Sequence, residues 1–505
     1  MWRVRPLIST LLALELLGLM SALAVPSAGA APGVDTVVRV QWSSCDRFLG
    51  KAGAPPAARC TAVPVPVDYA NPGGAQAWLA LIRIPATGPH RGSLFVNPGG
   101  PGASAVDTVA AMGSELAGTQ LASSFDLVGF DPRGVGHSAP ALRCRTDAEF
   151  DAYRRDPMVD YSPAGVAHIE QVYRQLAQSC VDRIGAGFLE NAGTASAARD
   201  MDLIRQALGE EQINYLGYSY GTELGTAYVE RFGDHVRAMV LDGAIDPSIV
   251  PLDANINQTA GFQTAFNDYA ADCARWVSCP LGTDSTQWVN RYHELVDPLV
   301  AQPGRTTDPR GLSYADANTG TVNALYTPQR WKSLTSGLLG LQRGTEADDL
   351  LLLADEYNGR DRRGHYSNDQ DAFNAIRCVD APSPTDSAVW ADADRRLRQV
   401  APFLSYGQFT GVAPRDLCAL WLVPATSTPH PAAPVEPGKV VVVSTTHDPA
   451  TPYQAGVDLA RQLGAALITY TGTQHTVVFD GDKCVDSAIM RFLVDSVVSP
   501  DGLHC

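Results

Sequence analysis

At 505 residues, 45% hydrophobic and 18% charged, the chain is globular in composition and long enough for one large domain with an insertion, or for two domains. A formal charge of −16 without clustered Lys and Arg speaks against nucleic acid and anionic membrane surfaces as partners. The remaining classes are enzymes and binding proteins.

Residues 1–30 read as a secretory signal: Arg3 and Arg5, an apolar run over 7–25, then Ala28-Gly29-Ala30 as the cleavage site. An uncleaved anchor is the alternative, although Glu15 interrupts the run and Pro26 closes it. The expected product is secreted or held in the cell envelope, cleaved near Ala30 and without a stable membrane anchor. All ten cysteines follow that site and none forms a C-x-x-C, which in an exported chain favours disulfides over metal or redox sites. Neighbour spacing suggests Cys45 with Cys60, Cys144 with Cys180, Cys273 with Cys279, Cys378 with Cys418 and Cys484 with Cys505, although connectivity does not follow from sequence.

Residues 37–42, 61–67 and 78–84 are rich in β-branched and aromatic residues between Pro, Gly and Ala turns, and predict opening strands. A short buried strand at 92–96 then runs into Asn97-Pro98-Gly99-Gly100-Pro101-Gly102. This loop is either a plain glycine-rich turn or a source of backbone N–H groups for an oxyanion, which needs a close approach that side chains would block. Another strand, 125–130, leads into Asp131-Pro132-Arg133-Gly134-Val135-Gly136-His137-Ser138. Asp131 and Arg133 read as braces of the turn, and His137 as a satisfied loop histidine. Helices follow at 163–184 and 195–208. In the second, Ala197, Met201, Ile204 and Leu208 share a face, with Asp200 and Asp202 at its flanks read as solvated.

The chain is organised around Gly217-Tyr218-Ser219-Tyr220-Gly221, between an apolar strand at 213–216 and an amphipathic helix at 222–232. Strand, sharp turn and helix are the context that makes a G-x-S-x-G match a nucleophile elbow. The serine is then held in a strained conformation at a helix N-terminus, where developing negative charge is favoured. A strand at 238–241 ends in Asp242-Gly243.

From 244 to 438 the alternation of strand and helix lapses. Helices are expected at 263–275, 287–300, 331–341, 345–357 and 387–400, before a proline-rich linker at 424–437. The block reads as a helical cap, or else as an unrelated second domain. The core would comprise 31–243 and 439–505. A strand at 439–444 resumes the pattern and leads to Thr445-Thr446-His447-Asp448-Pro449-Ala450-Thr451-Pro452. Helix 453–463, strand 465–471, the loop Gly472-Thr473-Gln474-His475-Thr476 and a closing helix at 483–498 complete the chain.

Serine, then an acid after one strand, then a histidine after the next is the order expected of an α/β-hydrolase sheet, mostly parallel and flanked by helices. Ser219 is the expected nucleophile, His475 the base and then acid, and Asp448 the group that orients it. The oxyanion would be met by the N–H groups of Tyr220 and Gly100, with Gly99 as the other candidate. His447 competes with His475, and Asp242 with Asp448. Thr451 is expected to cap the helix that follows it. No pattern suggests a metal, nucleotide or haem, so no cofactor is expected.

Together these segments resemble the secreted tripeptidyl-aminopeptidase-like serine hydrolases of actinobacteria, relatives of the proline iminopeptidases and of mycobacterial carboxylesterase and protease homologues. The resemblance rests on N-P-G-G-P-G at 97–102, D-P-R-G-V-G-H-S at 131–138, G-Y-S-Y-G-T at 217–222, V-L-D-G at 240–243, A-I-R-C-V-D at 375–380 and D-P-A-T-P at 448–452. It implies peptide or ester substrates, a helical cap, and acidic cap residues able to hold a substrate amine; Asp246, Asp268, Asp272 and Asp380 are candidates. Gln474 and Glu223 depart from the common pattern, the latter serving either a substrate ammonium or a helix-surface pair. A non-catalytic binding protein on the same fold is the reading from another class.

Overall fold

The computed structural model describes residues 40–50 and 53–505. The expected signal at 1–30 lies outside the described residues, as do 37–39 of the first expected strand. Residues 40–42 are not in a strand, and Ser43 makes only an isolated bridge to Cys60.

Nine strands form one sheet: β1 (Arg59–Pro66), β2 (Gln76–Ile84), β3 (Ser93–Asn97), β4 (Asp126–Phe130), β5 (Ile213–Tyr218), β6 (Val236–Asp242), β7 (Val440–Thr445), β8 (Ala466–Tyr470) and β9 (Leu503–His504). Their order is β1-β2-β4-β3-β5-β6-β7-β8-β9, antiparallel at β1/β2 and β2/β4 and parallel from β4 onward. The run Val440 to Val443 is apolar at every position because helices cover both faces of a parallel sheet. One core gathers Phe95, Met201, Ile204, Tyr215, Leu224, Tyr228 and Leu459, and the other Val96, Val109, Leu216, Val240, Ile489 and Phe492. All parallel strands end on one edge, where α/β proteins place their chemistry.

The two aspartates read as solvated are buried. Asp200 is 0% exposed and takes the Arg133 guanidinium on both oxygens, at 2.8 and 2.7 Å. Asp202 accepts from Arg205 and bonds Nδ1 of His235. The reason is packing, since β1 and the 131–138 turn cover the flank of helix Thr194–Leu208 and bring Arg133 to it. The chain also does not close on a helix: Lys483–Asp495 is followed by β9, tied back through Cys484–Cys505.

Between β6 and β7 lie helices including Pro251–Cys273, Tyr314–Leu325, Trp331–Arg343, Asp348–Tyr357, Asp369–Asp380 and Ser387–Val400, with a third core that includes Phe266, Tyr292, Leu338 and Phe403. Phe266 and Phe403 stack with ring centroids 4.5 Å apart. Helix Pro251–Cys273 starts well before the expected 263, with proline in its first turn, where no donor is needed. Helix Tyr314–Leu325 was not expected because Asn, Thr and Gly give it weak propensity. It forms against Asp348–Tyr357 at such close approach that a Cβ on Gly320 would lie 2.4 Å from the Leu350 carbonyl.

The disulfides join Cys45 to Cys60, Cys144 to Cys180, Cys273 to Cys279, Cys378 to Cys418 and Cys484 to Cys505. Each restricts the unfolded chain more than the folded one. Among the described residues no helix is long and apolar enough to cross a membrane.

Candidate active site

Ser219 sits between β5 and helix Tyr220–Phe232 with φ 55° and ψ −124°, a conformation that L side chains rarely adopt. The positions two before and two after it must be glycine. A Cβ on Gly217 would lie 2.4 Å from the Gly221 carbonyl oxygen, and one on Gly221 would lie 2.7 Å from that of Asn97. The Ser219 N–H donates to the Asp242 carbonyl at 2.9 Å, which ties the turn to the end of β6.

The glycine loop after β3 lies against this turn. A Cβ on Gly99 would meet Ser219 Cβ at 2.9 Å and the Tyr220 nitrogen at 3.1 Å. The Gly99 N–H is already committed to Asn97 Oδ1 at 3.0 Å, whereas that of Gly100 has no partner among the described residues. Both have positive φ, at 97° and 105°.

His475 follows β8. Its Nδ1 stands 2.9 and 3.0 Å from the two oxygens of Asp448, which fixes Nδ1 as the donor and leaves Nε2 as the acceptor. Asp448 also accepts from the backbone of Ala450 and Thr451, each at 2.9 Å, and from the Thr451 hydroxyl at 3.0 Å. Thr451 thus serves this carboxylate; helix Tyr453–Leu463 has no side-chain cap. The His475 N–H donates to the Tyr326 carbonyl at 2.8 Å, and the Tyr326 ring stands edge-on to the imidazole at 5.4 Å. Burial alone would lower the imidazole pKa; the Asp448 carboxylate outweighs it, with Asp242 adding its field, and the net shift is upward.

The competitors are occupied elsewhere. His447 bonds Asp268 at 2.7 Å through Nδ1. Asp242 makes no hydrogen bond to His475; one oxygen accepts the N–H groups of Val477 and Val478, each at 2.7 Å. Of the acidic candidates, Asp246 is taken by Ser248 and Gln462, Asp268 by His447 and Thr473, and Asp272 by Arg275 at the surface.

Asp380 is different. At the end of helix Asp369–Asp380, it accepts the Thr194 N–H at 2.7 Å and the Thr194 hydroxyl at 2.6 Å, while that hydroxyl accepts from the Tyr220 phenol at 2.6 Å. Glu223, one turn beyond Ser219, shares this neighbourhood. Burial raises both carboxyls, and for Glu223 the Asp380 charge adds to it, with no cation among the described residues offsetting either. Thr194 and Tyr326 carried no signal in the sequence, because their partners lie far along the chain.

A profile described as alpha/beta hydrolase fold matches residues 92–482. Over 515 residues the chain is 71% identical to carboxylesterase B of Mycobacterium tuberculosis (strain ATCC 25618 / H37Rv), covering 100% of this chain and 99% of that protein. Serine protease Hip1 of the same strain is 52% identical over 92% of this chain and 91% of its own. A tripeptidyl aminopeptidase of Streptomyces coelicolor is 32% identical over 92% and 86%.

Proposed function

The chain belongs to the α/β-hydrolase family and is a hydrolase, and from that premise we propose that it is an exported serine hydrolase that removes short peptides from free N-termini. Ser219 Oγ attacks the scissile carbonyl carbon while His475 Nε2 takes the hydroxyl proton, with Asp448 holding the imidazole tautomer. The oxyanion is met by the N–H groups of Gly100 and Tyr220. Collapse breaks the C–N bond, and His475 returns its proton to the departing amine. Water, deprotonated by the same imidazole, then attacks the Ser219 ester and releases the acid. The helices of 244–438 act as a cap over this edge.

The observation that carries the peptide reading is the pair Glu223 and Asp380. Helical side chains lean toward the N-terminus, so Glu223 reaches back over the turn that holds Ser219. Two half-buried carboxyls beside Tyr220, with no cation against them among the described residues, suit a substrate that brings its own ammonium group. A carboxylesterase is the second reading, favoured by the name of the relative at 71% identity. The same machinery cleaves esters, whose leaving group needs less help.

Turnover of a free-amine tripeptide anilide, its N-acetylated twin and a short-chain nitrophenyl ester tests this, with Ser219→Ala as control. Cleavage of the free-amine peptide alone supports the aminopeptidase. Turnover of the ester with both peptides resistant moves the assignment to carboxylesterase. If Ser219 is not labelled by a fluorophosphonate in folded protein, with Ser219→Ala as control, the reading of Ser219 as a catalytic nucleophile fails.

A further inference from the structure

Asp242 joins the two halves of the site without touching the imidazole. Its backbone carbonyl accepts the Ser219 N–H at 2.9 Å. Its Oδ2 accepts the N–H groups of Val477 and Val478, the second and third residues after His475. The segment it holds is strained, since Thr476 and Phe479 have φ of 63° and 62°. The next residue, Gly243, is pressed beneath it; a Cβ there would lie 3.1 Å from His475 Cε1 and 2.9 Å from Thr476 Cγ2. With φ of 67° and these contacts, Gly243 leaves no room for a side chain directly after β6.

We propose that Asp242 is a positioning residue for the reaction: one residue fixes the nucleophile through its backbone and the turn behind the base through its side chain, and so sets the gap between Ser219 and His475. The inference rests on the reading of Ser219 and His475 as nucleophile and base. The carboxylate is fully buried, and Oδ1 has no hydrogen-bond partner among the described residues. An orphaned oxygen in that setting is where a proton would sit. Burial pushes the Asp242 carboxyl up to about 7, against the pull of the two N–H groups, and His475 and Asp448 are the charged groups that face it. From β5, the Tyr218 phenol donates to the Val478 carbonyl at 2.9 Å and stands in the same field. Asp242 and His475 therefore lie in each other's field, and the charge on one acts on the titration of the other.

The experiment compares wild type with Asp242→Asn on the fastest of the three substrates above, across pH. The variant should lose roughly ten- to hundredfold in kcat with KM within about twofold, because the ground-state complex survives a small misplacement that the transition state does not. Its acid limb should move to lower pH, since the Asp242 charge no longer favours the protonated imidazole. An unchanged kcat and acid limb, accompanied only by a lower melting temperature, would overturn the proposal. Should the variant not fold, nuclear magnetic resonance of wild type labelled at Asp carboxyl carbons and His ring nitrogens decides. An Asp242 signal titrating in step with His475 near neutrality upholds it, and one that titrates below about pH 5 without disturbing His475 sinks it. That readout needs no turnover, so it separates failure of this inference from failure of the hydrolase assignment to Ser219.

Discussion

The ends of β6 and β7 lie side by side, and each carries a buried aspartate, yet the two are wired in opposite ways. Asp448 has donors on both oxygens: two backbone N–H groups, the Thr451 hydroxyl and the His475 ring. Among the described residues, Asp242 has two backbone donors on one oxygen and none on the other. One grips the imidazole and the other grips the chain behind it. A strand-end carboxylate is thus defined by which donors converge on it, not by its place in the sheet.

Removing the ring contact should be the severest loss. Asp448→Asn is expected to reduce kcat by about 10⁴, because an amide can present its N–H to Nδ1 and stabilise the wrong tautomer. Stopped assays on an activated ester would show it, and a loss in Asp242→Asn as large as in Asp448→Asn would erase the distinction drawn above.

A smaller effect concerns stability and pH. The Asp242 carboxyl rises from 3.8 to about 7 on folding. The folded state therefore holds its proton more tightly than the unfolded one, and this contribution is complete below about pH 4 and lost as pH rises through 7. Its upper bound is roughly 4 kcal/mol, from about 1.4 kcal/mol per pH unit. Asp242→Asn lacks that slope, so its melting temperature relative to wild type should climb between about pH 5 and pH 8. A constant difference would mean that Asp242 titrates as an ordinary carboxylate.

The smallest effect belongs to the other histidine at this edge. His447 is half-exposed and bound to Asp268, so His447→Ala should leave kcat within about twofold in the same assay. A collapse of activity would place the wrong imidazole at the reaction.

Much of this was legible in the sequence. Short apolar runs ended by Gly and Pro announced β3, β5, β6, β7 and β8, and the glycines flanking Ser219 announced a turn that no Cβ could enter. What could not be read was contact across long separations. Asp200 reads as solvated in the sequence because its flank of the helix is polar; its partner Arg133 lies 67 positions earlier. Glu223 and Asp380 lie far apart in the sequence, and only the folded chain puts both beside Tyr220. In the sequence Asp242 rivals Asp448, since periodicity shows where a strand ends and not what its last carboxylate holds.

The inserted helices also share more with the chemistry than their position between β6 and β7 suggests. Ala450 is buried in their core, Gln258 donates to its carbonyl at 2.8 Å, and Gly261 lies so close that a Cβ would stand 3.0 Å from the Asp448 carbonyl. Tyr326 supplies the carbonyl that holds the His475 N–H. The insertion is therefore not a detachable module. Grafting the corresponding segment from a relative to change selectivity would shift Asp448 and His475 as well, so chimaeras should exchange 447–452 and 472–478 along with it.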